Sequence, residues 1–155
     1  MRIPTGLAIA VAAILTLAGC SATVALDPAT DAVNPKCADV VVNLPTTVAD
    51  LPARETNAQG TGAWGSPAGV LLRCGVAVPD PTSTLQCYTV DGIDWLVDPT
   101  DAPNYVYTTY GRDPAISVVI DSNTVQDLAA LTDLGSAVGL ITATHGCIDP
   151  QDTTK

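Results

Sequence analysis

The sequence predicts an α+β domain: a small antiparallel sheet of four to five strands, an N-terminal and a C-terminal helix on one face, and disulfides bracing the whole. Three features lead there. Helically spaced apolar stripes stand near both ends of the chain, short strand-like runs bounded by Pro, Gly and Asp turns fill the middle, and Cys37, Cys74, Cys87 and Cys147 form an even set once Cys20 is set aside. Helices at the ends and strands between them pack best as one sheet with a covered face, because both helical stripes are then buried together.

In chain order, residues 1–19 read as a lipoprotein signal peptide. Met1-Arg2 is a short positive start, Leu7 to Gly19 is an apolar run broken only by Thr16, and Leu17-Ala18-Gly19-Cys20 is a lipobox. The run is well short of the ~20 apolar residues that cross a bilayer, so cleavage before a lipidated Cys20 is expected rather than a permanent span. Residues 20–35 are expected to be the lipidated cysteine and a flexible tether, with one globular domain over 36–149 and a tail at 150–155.

Val40, Val41, Leu44, Val48 and Leu51 recur near helical spacing, but Pro45 must interrupt them. A short helix through Asn43 and a second turn after it are expected. Residues 53–67 read as a Gly-rich connection with Trp64 closing the edge of the core. Gly69 to Val78 is an apolar strand in which Arg73 needs a partner. Leu85 to Val90 and Ile93 to Val97 flank Asp91-Gly92, a pair that favours the type I′ hairpin turn. Tyr105 to Tyr110 alternates, with Tyr105, Tyr107 and Thr109 on one face, and Ile116 to Ile120 alternates after Pro114. Val125, Leu128, Leu131, Leu134, Val138 and Ile141 then mark an amphipathic helix behind Ser122-Asn123-Thr124, weakened by Gly135 and Gly139.

Charge narrows the partners. Cleavage would remove Arg2 and leave five basic side chains against sixteen acidic ones, a formal charge of −11. Nucleic acid would be repelled, and so would anionic lipid headgroups; membrane attachment is expected through the lipid on Cys20 alone. The expected location is the extracytoplasmic face of the cell membrane.

Four cysteines outside the cytoplasm read as two disulfides. No pair has the spacing of a zinc site, so no metal and no cofactor is expected. Loop closure favours pairing Cys37 with Cys74 and Cys87 with Cys147, or the nested alternative, by about 8 kcal/mol in total either way, and does not choose between them.

Catalytic parts are scarce. His145 is the only histidine, no serine sits in G-x-S-x-G, and no C-x-x-C occurs. Asp91, Asp94, Asp98 and Asp101 stand beside Gly and Pro as turn residues do, and their spacing fits no EF-hand. Arg73, Asp94, Trp95, Tyr110 and Arg112 mix aromatic faces with both charges on neighbouring strands. With Trp64 they are the candidate binding surface, a structural ion-pair network being the preferred expectation for the five.

The chain resembles the actinobacterial family of secreted proteins and lipoproteins called domain of unknown function 3515. The resemblance spans nearly all of Cys37 to Cys147 and rests on Leu44-Pro45, Ala63-Trp64-Gly65, Leu72-Arg73-Cys74-Gly75-Val76, Asp91-Gly92-Ile93-Asp94-Trp95 and Thr108-Thr109-Tyr110-Gly111-Arg112. The fourth block is more usually Asn-Gly-Val-Asp-Trp, a departure that keeps the turn chemistry. Members with fewer cysteines retain those matching Cys37 and Cys74, which implies that these two pair and that Cys87 pairs with Cys147. About activity the resemblance implies nothing. The expectation is a non-enzymatic, lipid-anchored envelope module that binds an envelope protein or a small ligand, the alternative being an envelope hydrolase using carboxylates around Asp94.

Overall fold

The computed structural model describes residues 22–81 and 83–147. The signal peptide, Cys20 and the tail at 150–155 lie outside these residues. Helix α1 (Pro35–Val42) is followed by β1 (Thr47–Val48), β2 (Leu51–Arg54), β3 (Thr61–Trp64), β4 (Val70–Val76), β5 (Gln86–Val90), β6 (Ile93–Asp98), β7 (Asn104–Thr109), β8 (Ala115–Asp121) and α2 (Asp127–Val138). All eight strands form one antiparallel sheet in the order β1-β2-β3-β4-β8-β7-β6-β5. Two four-strand meanders thus lie side by side and join along β4 and β8.

This corrects the expected sheet of four to five strands. The five anticipated strands exist as β4 to β8, and the first meander adds three more. Val48 and Leu51, expected on a helical turn, instead face each other across a tight β1–β2 hairpin whose turn residues Ala49 and Asp50 have φ of 47° and 63°. Ala is a poor residue for that conformation. Its N–H is held 2.8 Å from Oδ2 of Asp133 on α2, so a distant side chain fixes a turn that local preference would not make. In β3 all four residues are buried, which leaves no alternation to read. Gly62 there leaves room for the Trp64 ring and Leu44: a Cβ would sit 2.8 Å from each.

One face of the sheet carries both helices. Val70, Leu72 and Cys74 of β4 and Ile116, Val118 and Ile120 of β8 are fully buried beneath Val40 of α1 and Leu134, Ala137 and Val138 of α2. Both tryptophans belong to this core. Asn34 caps α1, its side chain accepting the Lys36 N–H, and Pro35 occupies the first turn. The connection from β4 to β5 crosses the opposite face, where the Tyr110 hydroxyl donates to the Pro81 carbonyl (3.0 Å) and Leu96 is buried.

Two disulfides fasten the flanking segments. Cys37–Cys74 ties α1 to β4 and Cys87–Cys147 ties the C-terminal segment to β5, with Cα separations of 5.6 and 5.7 Å. This is the pairing the family resemblance implies. Residues 22–34, expected as tether, lie against the domain. Val24 bridges Thr56, Arg54 donates to the Ala22 carbonyl, and the Asp31 N–H reaches the Gly75 carbonyl at 3.0 Å.

At the other end, residues 142–147 wrap from the helical face to the far face as a strap. Arg112 pairs with Ala143, the Thr144 N–H donates to the Gly111 carbonyl at 2.8 Å, and His145 meets the Tyr110 ring edge-on. Gly111 has φ of 72°, and a Cβ on it would lie 1.8 Å from the His145 carbonyl oxygen. Gly111→Ala is therefore expected to cost about 2 kcal/mol or more in urea unfolding, because the strap must lift. An unchanged midpoint would show that the strap does not pack there.

Candidate functional site

The six residues expected to form a binding surface do not converge. Trp64 and Trp95 are 1% and 0% exposed, and both sit in the core. The Trp64 indole donates to the Pro45 carbonyl at 2.9 Å, which pins the loop after α1. Tyr110 and Arg112 are buried under the strap, where Arg112 donates to the Ile141 carbonyl just beyond α2. Burial depresses the Arg112 pKa, and the nearby Asp94 charge opposes that shift. Arg73 lies on the face away from the helices, in a shallow depression with Thr108 and Ser117.

Asp94 is committed to structure. Its carboxylate accepts the Thr89 hydroxyl at 2.5 Å and the Cys147 N–H at 3.1 Å, so it anchors the strap. Asp98 closes its own turn by accepting the Thr100 hydroxyl and N–H, which hold its carboxyl below the ordinary range. The mixed-charge group is thus dispersed over three places, and four of its members support packing.

A different set of residues forms a cleft. Between the N-terminal half of α2 and the helix-side face of β5, β6 and β7 runs a groove of roughly 680 Å³. β5 contributes Tyr88 and Val90, β6 and β7 contribute Val97, Tyr105 and Tyr107, and α2 contributes Asp127, Leu128 and Leu131. The strand pairing explains the alignment: Tyr88 stands opposite Trp95, Val97 opposite Tyr107, and Tyr105 opposite Ile120, all on the covered face. Here the sheet extends past the helix, so the outermost side chains remain open. Leu85, Tyr88 and Leu128, which are 40%, 51% and 65% exposed, all line this groove. Three large apolar groups left uncovered together mark a place where something else can pack.

Its polar end is organised. Asp127 lies in the first turn of α2, where the helix dipole favours a carboxylate. The Tyr107 hydroxyl donates to Asp127 Oδ2, and Ser122 Oγ lies 2.7 and 2.8 Å from the two carboxylate oxygens. Burial, and then the bond to Asp127, push the Tyr107 phenol well above its ordinary range. The arrangement suits recognition: a fixed acceptor at one end of an apolar trough with tyrosine walls. Among the described residues no cluster of three metal-ligating side chains occurs, and no helix is long and apolar enough to cross a membrane.

Sequence reasoning missed this site. Its one legible sign was the alternation that puts Tyr105 and Tyr107 on a single face. Tyr88, Asp127 and Leu128 join them only through pairing and helix packing.

Fold and cleft together define a small α+β domain, braced by two disulfides, with an open apolar groove at one end of its sheet. The chain belongs to the family described as a protein of unknown function (DUF3515), whose model matches residues 3–145. No curated protein and no solved structure matches it.

The Tyr107 environment can be checked by alkaline titration followed by ultraviolet absorption. Its phenol is expected to ionise above the ordinary phenol range, and Tyr107→Phe should remove that late step. Because the folded-state pKa is raised, the fold gains from keeping this phenol protonated. That contribution is complete below the unfolded value of about 10 and is lost progressively as pH climbs above it. A titration in which Tyr107→Phe removes an ordinary phenol would contradict the buried pairing with Asp127.

Proposed function

We propose that the protein is a lipid-anchored, non-enzymatic binding module of the cell envelope, and that the groove between α2 and β5–β7 is its ligand seat. The observation that carries the binding assignment is the coincidence of three exposed apolar side chains, tyrosine walls and one oriented carboxylate in a single trough. The anchor rests on the lipobox at Cys20, and the extracytoplasmic location follows from it. With Val24 already paired to Thr56, no more than about 14 Å of chain separates Cys20 from the domain. The domain therefore sits close to the bilayer rather than at the end of a long tether. The hydrolase alternative has no observation in its favour, since Asp94 is spent on Thr89 and Cys147.

Two experiments address the two halves. In cells fed an alkyne fatty acid, the wild-type chain should take up label and Cys20→Ala should not. Label retained by the alanine variant would remove the anchor. Native mass spectrometry of the full chain, extracted from its own membranes after mild cross-linking, should show an adduct that Leu128→Asp loses. Leu128 is mostly exposed, so the variant is expected to fold. Identical bare masses for both proteins would remove the groove as a binding seat.

A further inference from the structure

The groove opens along the free edge of β5, and the two features use the same residues. β5 is the outermost strand of the sheet. Its pairing with β6 runs through a two-residue turn in which Asp91 and Gly92 have φ of 50° and 78°, the type I′ geometry. In that hairpin Val90 and Ile93 exchange both ladder bonds, so Tyr88 and Gln86 also point their backbone groups at β6. Cys87 and Thr89 then turn their N–H and C=O outward. Among the described residues, neither makes a backbone hydrogen bond beyond the ladder.

Exposed strand edges invite pairing, and folded proteins usually blunt them. The opposite edge of this sheet is blunted: β1 is two residues long, and Pro52 stands in the next strand. β5 has none of these devices. Its sequence, Gln-Cys-Tyr-Thr-Val, contains no proline and no charge across five residues. The Cys87–Cys147 bridge leaves from the face away from the helices, so it does not cover the edge.

We propose that this edge receives an extended peptide segment of a partner protein, added as a ninth strand beside β5. The inference rests on the binding role proposed above and names its ligand. Main-chain bonds to Cys87 and Thr89 would hold the segment, and alternate side chains on its groove side would fall between Tyr88 and Leu128. Those side chains should be apolar. Charge selects the rest of the peptide. Among the groove's lining residues Asp127 is the one charged group, Asp91 stands at the hairpin tip, and the whole chain carries −10. A segment bearing Lys or Arg between its apolar residues is therefore favoured, whereas a second copy of this chain would bring the same negative charge to the contact.

The test uses the full chain in detergent and blocked peptides of about eight residues, near the usual strand length. Alternating Val and Lys is the probe; alternating Gly and Lys, and alternating Val and Glu, are the controls. The Val/Lys peptide should bind at least about tenfold tighter than either control, and hydrogen exchange at Cys87 and Thr89 should slow by about tenfold or more. Thr89→Pro removes an outward donor and keeps the backbone ladder to β6, but it also gives up the Thr89 hydroxyl bond to Asp94. It should abolish binding, whereas Thr89→Val, which loses only that hydroxyl, should retain it. If the proline variant does not fold, exchange in the wild-type chain decides alone.

Equal binding of the Gly/Lys peptide with unchanged exchange would mean diffuse attraction and overturn the proposal. So would Cys87 and Thr89 amides already protected in a dimer, which would assign the edge to a second copy. Peptide binding seen only after truncation beyond Cys147 would assign it to the chain's own tail and overturn it likewise. Failure of every peptide, together with a native adduct that Leu128→Asp still loses, would leave the binding module standing and remove only the strand-addition mode.

Discussion

The pairing of β4 with β8 holds this molecule together. It joins two meanders that would otherwise be separate four-strand sheets, and it does so between segments far apart in the chain. Six side chains along that seam, Val70, Leu72, Cys74, Ile116, Val118 and Ile120, are completely buried. The five aliphatic ones each contribute roughly 1.5 to 3 kcal/mol on removal from water. The helices cover this seam: α1 is fastened to it by Cys37–Cys74 and α2 lies across it. β7, β6 and β5 extend outward from β8, and their position, hence the shape of the groove, depends on it.

The seam also explains why one end of the sheet is left open. α2 is twelve residues long, and its buried positions run from Ala130 to Val138. Its first turn contributes no fully buried side chain and instead presents Asp127 and Leu128 beside the outer strands. Tyr88 and Tyr105 are left only partly covered, and Tyr107 is held at the start of the helix by Asp127, which makes the trough aromatic and its far wall the outer edge of β5. Asp127 is held by Tyr107 and Ser122, so the trough's one charge is fixed in place by the fold itself.

Tight backbone approaches fasten the two ends of the described chain. Gly75, with φ of 92°, lets Asp31 pack where a Cβ would come within 2.3 Å of its carbonyl carbon, and Gly111 does the same for His145. Each lies within a stretch that carries the family resemblance, Leu72 to Val76 and Thr108 to Arg112. Those stretches mark where flanking segments dock and a core forms; Trp95 packs in that core, and Tyr110 and Arg112 lie under the strap.

Much of the second meander is legible in the amino-acid sequence alone. β4 to β8 announce themselves by alternation or by an apolar run between prolines, Asp91-Gly92 dictates its turn, and α2 shows its stripe, because each of these depends on residues close in sequence. The first three strands, β1 to β3, are not legible in this way. Ala49-Asp50 is an unlikely turn until Asp133, on a helix at the other end of the chain, accepts its N–H, and β3 shows no alternation because both of its faces are covered. The groove belongs to the same category. Local sequence puts Tyr105 and Tyr107 on one face, but only the sheet order brings Tyr88 beside them, and only helix packing brings Asp127 to the Tyr107 hydroxyl, since contacts between distant segments have no local periodicity to betray them.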